Sequence, residues 1–245
     1  MQPTREERLN RTALLLCDEQ LEKLRNAHVM LFGLGGVGSY AAEALARGGI
    51  GHLTLVDCDT VAVSNLNRQL PALSSTIGRL KTDVVLQRLK DIAPDAEIDA
   101  INAFYLPQSP VEIPKDCTYV ADAIDTVSAK LHLAETCHAR GIPLLSCMGM
   151  GNRLNPTLIC IGDLFDTAGC PLCRVMRREL RKRGLTALRC VYSTEQAMPP
   201  LNREMAELRP TMRKAPGSVS FVPSVAGLYM AYEIIRELVQ AQEIS

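Results

Sequence analysis

Apolar and polar positions alternate along the chain in two recognisable rhythms. Short apolar runs at 28–32 and 52–56 read as strands. Between them a glycine-rich turn opens an Ala-rich stretch that ends near Arg47 and reads as a helix. Together these make a βαβ unit, whose crossover should be right-handed. Helical periodicity returns at 79–93 and is stopped by Pro94. Residues 97–100 and 118–121 read as further parallel strands, separated by a loop that Pro107, Pro110 and Pro114 mark. Residues 128–140 are helical, and Gly141-Ile142-Pro143 turns them into a strand at 144–147. Ahead of this core, residues 4–26 read as one or two amphipathic helices with Leu14, Leu15, Leu21 and Leu24 on one face. Behind it come a strand at 157–161, where the sheet turns mixed, and a charged helix at 171–183. A Pro-rich polar stretch at 195–217 reads as a mobile loop and candidate lid. A last helix at about 223–241 places Val225, Leu228, Ile234, Ile235 and Leu238 for packing. The prediction is an α/β fold: a Rossmann-like, mostly parallel sheet flanked by helices, with N-terminal helices and a mixed C-terminal extension. It forms one domain with a helical arm (1–27), a nucleotide-binding core (28–150) and a substrate-binding extension (151–245).

Composition narrows the function. At 245 residues the chain buries a large single core, and zero formal net charge argues against nonspecific coating of nucleic acid. The nine Cys are scattered and odd in number, and no secretory segment stands at the start of the sequence. They are expected to be reduced thiols in a cytoplasmic protein. The apolar stretch at 222–232 holds Pro, Ser and Gly and is too short to span a bilayer, so no membrane role is expected.

The glycine turn is Gly33-Leu34-Gly35-Gly36-Val37-Gly38. Bare backbone N–H groups at a helix N-terminus suit a phosphate, and alone that pattern fits NAD, flavin and ATP alike. Residues further along the chain decide between them. Asp57 ends the next strand, where it can accept ribose hydroxyls; turn acid is its plain alternative. Asn65, Arg68 and Gln69 lie in Ser64-Asn65-Leu66-Asn67-Arg68-Gln69, and Lys81 in Gly78-Arg79-Leu80-Lys81. A dinucleotide needs an acid for its ribose but not an Arg and a Lys soon afterwards. These cations read as holders of a triphosphate, where they offset the charge of departing pyrophosphate. Asn65 is also a natural turn residue, and Asp59 either holds the turn or approaches a metal.

G-x-G-G-x-G, then D-x-D-x-V-x-x-S-N-L-x-R-Q, then G-x-x-K resembles the ubiquitin-activating-like adenylyltransferases, including those that activate sulfur carriers for thiamine and molybdopterin. The resemblance covers roughly residues 8–150. It implies ATP–Mg²⁺ chemistry that turns a carboxylate into an acyl-adenylate. In that pattern the acid at Asp125 coordinates Mg²⁺, while Asp122 is a structural acid. Arg8-Leu9-Asn10-Arg11 resembles the family's N-terminal arm, whose second Arg reaches the triphosphate of the neighbouring subunit. Arg11 would then make each site a product of two chains, in a homodimer.

The C-terminal third bears on which carboxylate is activated. Sulfur-carrier activators usually carry two C-x-x-C pairs around zinc. This chain has one, Cys170-Pro171-Leu172-Cys173, with Cys147, Cys160 and Cys190 single, which argues against zinc. Cys190 is the best-placed candidate for a catalytic thiol, if the reaction uses one. Arg174, Arg177, Arg178 and Arg181 recur at i, i+3, i+4 and i+7, one helical stripe opposite Leu172, Val175, Met176 and Leu180. Such a stripe neutralises nucleic-acid phosphates or is a solvated face. Arg174–Gly184, Val191-Tyr192-Ser193-Thr194-Glu195 and the 216–227 segment resemble the tRNA threonylcarbamoyladenosine dehydratase branch. That implies adenylation of the threonyl carboxylate on an anticodon-loop adenosine of tRNA, then ring closure with loss of AMP. Gly217 and Ser218 are candidates for a substrate pocket or monovalent-cation site, or a plain turn. The competing readings are an activator of a Gly-Gly carrier protein and a redox dinucleotide binder. Whether a sulfur-relay partner assists is left open.

Overall fold

The computed structural model describes residues 3–199 and 216–240. Seven strands form one sheet: β1 (His28–Phe32), β2 (His52–Asp57), β3 (Glu97–Asn102), β4 (Tyr119–Asp122), β5 (Leu144–Cys147), β6 (Ile159–Asp163) and β7 (Arg189–Ser193). Their order is β3-β2-β1-β4-β5-β7-β6, parallel throughout except that β6 runs antiparallel to β7. The predicted mostly parallel α/β architecture is what the chain adopts.

Helices cover both faces, which is why β1 is buried along its whole length. Val29 and Leu31 face one side, with α3 (Gly38–Gly48), α4 (Lys81–Ile92) and α7 (Phe221–Gln240). Met30 and Phe32 face the other, against α5 (Val127–Arg140). A separate cluster joins α6 (Pro171–Lys182) to Leu164, Leu188 and Cys190. The chain reverses direction across the sheet between β1 and β4, and doubly wound sheets bind ligands in the crevice at such a switch point.

Two readings of the pattern are corrected. The N-terminal arm is α1 (Arg5–Leu9), a 3-10 turn (Thr12–Leu14) and α2 (Asp18–Asn26). Leu24 is buried, but Leu14 and Leu15 are 78% and 87% exposed, because the 3-10 turn breaks the helical phase that would have aligned them with Leu21. β7, absent from the pattern-based elements, inserts between β5 and β6; its run is short and lacks clean alternation. Of the expected loop at 195–217, residues 200–215 lie outside the described residues.

Candidate active site

Three strand ends meet at the switch point. Gly33 follows β1 with φ +91°, and a Cβ there would sit 2.8 Å from the Ala123 carbonyl oxygen, just past β4. A Cβ on Gly38 would lie 1.8 Å from the Gly33 oxygen, so only glycine closes the loop onto α3. The N–H groups of Gly35, Gly36 and Val37 donate to no group among the described residues, and no side chain caps α3. Unmet donors at a helix N-terminus are what an anionic phosphate satisfies.

Asp57 is fixed beside them. Its Oδ2 accepts the Leu34 N–H at 2.6 Å and its Oδ1 the Asp59 N–H at 2.7 Å. Each oxygen keeps a lone pair for a ribose hydroxyl. The turn role and the ribose role are therefore compatible.

The segment after β2 folds back under the glycine loop. Gln69 is 9% exposed and its Oε1 has no hydrogen-bond partner, while its Nε2 lies 3.7 Å from where a Gly35 Cβ would stand. An orphaned buried amide oxygen under a phosphate loop suits a ligand hydroxyl or an ordered water. Arg68 passes Gly36 and donates to the Ser64 carbonyl and to Asn67 Oδ1, both at 2.9 Å; it pairs with no carboxylate among the described residues. Asn65 Oδ1 accepts the Ala62 N–H at 3.0 Å, which is turn duty. Lys81 opens α4 and is almost buried, its Nζ 2.7 Å from Asp59 Oδ2. Asp59 thus orients a cation.

Asp122 and Asp125 separate cleanly. Asp122 has no exposed surface: its Oδ2 takes Lys130 Nζ at 2.9 Å and the Ser146 hydroxyl at 2.6 Å, and its Oδ1 takes the Ile124 N–H at 3.1 Å. Asp125, two residues before α5, is exposed and enters no ion pair among the described residues. One exposed carboxylate two residues past Ala123, which packs on Gly33, suits Mg²⁺, which takes few protein ligands and completes its shell with phosphate oxygens and water. Lys130 and Ser146 were not singled out from sequence. The available signal was a lysine within the apolar run Ala129–Leu131, a place that forces it to find a partner.

The arm and the basic helix are also resolved into parts. Arg8 pairs with Asp95 and donates to the Ala46 carbonyl, whereas Arg11 is exposed and its side chain hydrogen-bonds to no group among the described residues. On α6, Arg174 is exposed, Arg178 lies 2.9 Å from Glu179, and Arg181 sits 5.3 Å over the Phe165 ring. Arg177 differs: its guanidinium turns in to the Thr167 carbonyl at 2.6 Å and to the Thr167 hydroxyl. The outward stripe is therefore Arg174, Arg178 and Arg181.

Cys190 and Cys147 are buried, and burial pushes both thiols up to about 12, which disfavours the thiolate form of either. Cys170 and Cys173 begin α6, and no third thiol, imidazole or carboxylate joins them as a metal cluster among the described residues. Gly217 exchanges hydrogen bonds with Asn152 in both directions (2.6 and 2.7 Å), and the Ser218 carbonyl accepts Asn67 Nδ2 at 2.9 Å. These bonds tie the segment to Asn152 and to the Arg68 loop, and each carbonyl keeps a second lone pair.

A glycine loop with unmet donors, the fixed Asp57, two cations and the exposed Asp125 gather at the strand ends of a doubly wound sheet, an arrangement suited to an anionic nucleotide. The sequence model of the ThiF family matches residues 9–245, and the chain belongs to that family. The tRNA threonylcarbamoyladenosine dehydratase of Bacillus subtilis is 40% identical over 243 residues, covering 96% of each chain. That of Haemophilus influenzae is 36% identical over 96% of this chain and 94% of its own. The solved structure of the Escherichia coli tRNA N6-threonylcarbamoyladenosine dehydratase in complex with ATP superposes with a TM-score of 0.84. It is 32% identical, covering 96% of this chain and 95% of that one.

Proposed function

We propose that this chain is an ATP-dependent tRNA threonylcarbamoyladenosine dehydratase, an enzyme of the cytoplasm acting as a homodimer. The observation that carries the reading is the gathering, near the switch point, of glycine-loop donors, Arg68 and Asp125 that have, among the described residues, no acceptor, no carboxylate and no cation as partner respectively, in a chain matched along its length by relatives of that name. The glycine-loop N–H groups receive phosphate oxygens, and Asp57 fixes the ribose. Arg68 and Lys81 offset charge on the phosphates, as does Arg11 from the partner subunit. Mg²⁺ held by Asp125 would shield phosphate charge. The threonyl carboxylate attacks the α-phosphorus and pyrophosphate leaves. AMP is then a far better leaving group than a carboxylate oxygen, and the neighbouring carbamoyl group closes the ring internally. Orientation supplies much of the rate of an intramolecular step, so no enzyme thiol is required. This accords with the burial of Cys190. Arg174, Arg178 and Arg181 hold the tRNA backbone.

Incubation with ATP–Mg²⁺ and tRNA bearing threonylcarbamoyladenosine, followed by nucleoside mass analysis, tests the reading. Loss of one water with release of AMP and pyrophosphate supports it. An unchanged nucleoside, with pyrophosphate exchange only when a Gly-Gly carrier is supplied, would move the function to the carrier activators.

A further inference from the structure

We infer that Asn67 is a positioning residue: it fixes the Arg68 guanidinium against the segment leading into α7, so that Arg68 meets the outer phosphates of ATP. The inference rests on the reading of the switch point as an ATP site.

Both polar ends of the exposed Asn67 side chain are committed, and neither to its own turn. Its Oδ1 accepts Arg68 Nη1 at 2.9 Å, and its Nδ2 donates to the Ser218 carbonyl at 2.9 Å, 151 residues away. Asn65 shows the ordinary use of an asparagine in a turn, accepting the Ala62 N–H three residues back. A side chain that instead bridges two distant segments in solvent gives up rotamer freedom for little net stability. What such a bridge fixes is direction.

The Ser218 end is itself anchored. Asn152, on the loop after β5, has φ +59°, and its N–H donates to the Gly217 carbonyl at 2.7 Å. The Gly217 N–H returns to Asn152 Oδ1 at 2.6 Å. A Cβ on Gly151 would lie 2.5 Å from the Pro216 Cβ, so the two segments are in close contact as well.

At the other end, the Arg68 N–H donates to the Asn65 carbonyl at 3.1 Å, and the Arg68 Cγ lies 3.5 Å from where a Gly36 Cβ would stand. The stem therefore runs beside the glycine loop. The guanidinium is held at Nη1 alone, by the Ser64 carbonyl and Asn67; among the described residues Nε and Nη2 donate to nothing. One nitrogen anchors the plane and two remain, a fork that meets phosphate oxygens in pairs. Without Asn67 a single anchor is left, about which the fork turns. AMP lacks the outer phosphates, so its binding does not depend on where that fork points.

The test measures ATP and AMP affinity separately, by titration calorimetry with Mg²⁺ on the full-length protein. Wild type is compared with Asn67→Ala, Arg68→Met and the double variant. Asn67→Ala should weaken ATP binding about tenfold, as expected for one hydrogen bond to a charged group. AMP affinity and the melting temperature should not change. In the Arg68→Met background Asn67→Ala should weaken ATP no further, because Asn67 acts through Arg68. Asn152→Gly keeps the positive φ but loses the carboxamide grip on Gly217, and it should also weaken ATP while sparing AMP. An Asn67→Ala protein that loses ATP and AMP equally, or loses neither, would overturn the inference, as would additive losses in the double variant. Wild-type ATP affinity in Asn152→Gly would overturn the anchoring by 216–218. Failure of the wild type to bind ATP would instead strike the ATP site itself. Wild-type protein that binds ATP but leaves modified tRNA unchanged would strike only the dehydratase reading.

Discussion

Lys130 and Asp122 meet at 2.9 Å with neither side chain exposed, beneath the turn that ends in Asp125. Asp122 also accepts the Ile124 N–H at 3.1 Å, and Lys130 donates to the Cys147 carbonyl at 2.7 Å. The pair thus ties α5 to the ends of β4 and β5 and sets the path of the 122–125 turn. Removing one partner leaves a buried charge uncompensated, which costs about 3–5 kcal/mol, whereas replacing both by apolar groups is often near neutral. Lys130→Met should therefore lower urea stability by about that amount, and Lys130→Met with Asp122→Leu should recover much of it. The double variant should still turn over ATP poorly, because the turn loses its anchor. Equal stability loss in single and double variants would show that the pair is not a coupled unit.

Asp125 is the converse case, exposed and in no ion pair among the described residues, so its neutralisation should leave stability within about 0.5 kcal/mol. Asp125→Asn is expected to lower the rate of pyrophosphate release by about 10²–10³ at saturating ATP–Mg²⁺, with an unchanged melting temperature. Asp57→Asn should behave differently. It weakens the bonds from the Leu34 and Asp59 N–H groups, so both ATP affinity and stability should fall, the latter by about 1–2 kcal/mol. Steady-state kinetics beside thermal melts separates the two.

Most strands of the sheet and the glycine turn of the candidate site are legible in the sequence for one reason: each is a local pattern. β1 is apolar throughout because it is covered on both faces, and the glycine turn sits between two periodic runs. What it could not show depends on contacts between distant segments. Asp122 meets Ser146 across 24 residues, and Asn67 reaches Ser218 across 151. Arg177 shares a stripe with Arg174 and Arg181, yet Thr167, ten residues earlier, draws it inward. Leu14 and Leu15 have α-helical spacing, but the chain there forms a 3-10 turn, whose different phase leaves them exposed.

That division of the basic helix has a measurable consequence. Arg174, Arg178 and Arg181 face outward, and each cation lost from a phosphate contact reduces the slope of log K against log salt by roughly 0.7–0.9. Changing all three to Gln should weaken tRNA binding and flatten its salt dependence by about two to three such units, with ATP binding intact. Arg177→Gln should instead leave the salt slope alone and lower stability, since the Thr167 carbonyl and hydroxyl lose their donor. Filter binding across a salt series distinguishes them. A slope unchanged in the triple variant would remove α6 from tRNA recognition.

At the far edge of the sheet, Glu233 on α7 is 1% exposed and accepts Arg189 Nε at 2.7 Å and two Arg236 nitrogens at 2.8 Å. Hydrogen bonds from Arg236 and then Arg189 outweigh burial and hold its carboxyl down to about 2. A carboxylate whose folded pKa lies below its unfolded value of about 4.3 stabilises the fold fully above that unfolded value. The contribution is lost as pH falls through the window from about 4.3 toward about 2. Glu233→Gln should therefore cost on the order of 2 kcal/mol at pH 7, and the deficit should shrink as the pH is lowered through that window. Urea unfolding of both proteins between pH 7 and pH 3 measures it. A deficit that stays constant with pH would mean that Glu233 is held by shape and hydrogen bonding and not by its charge.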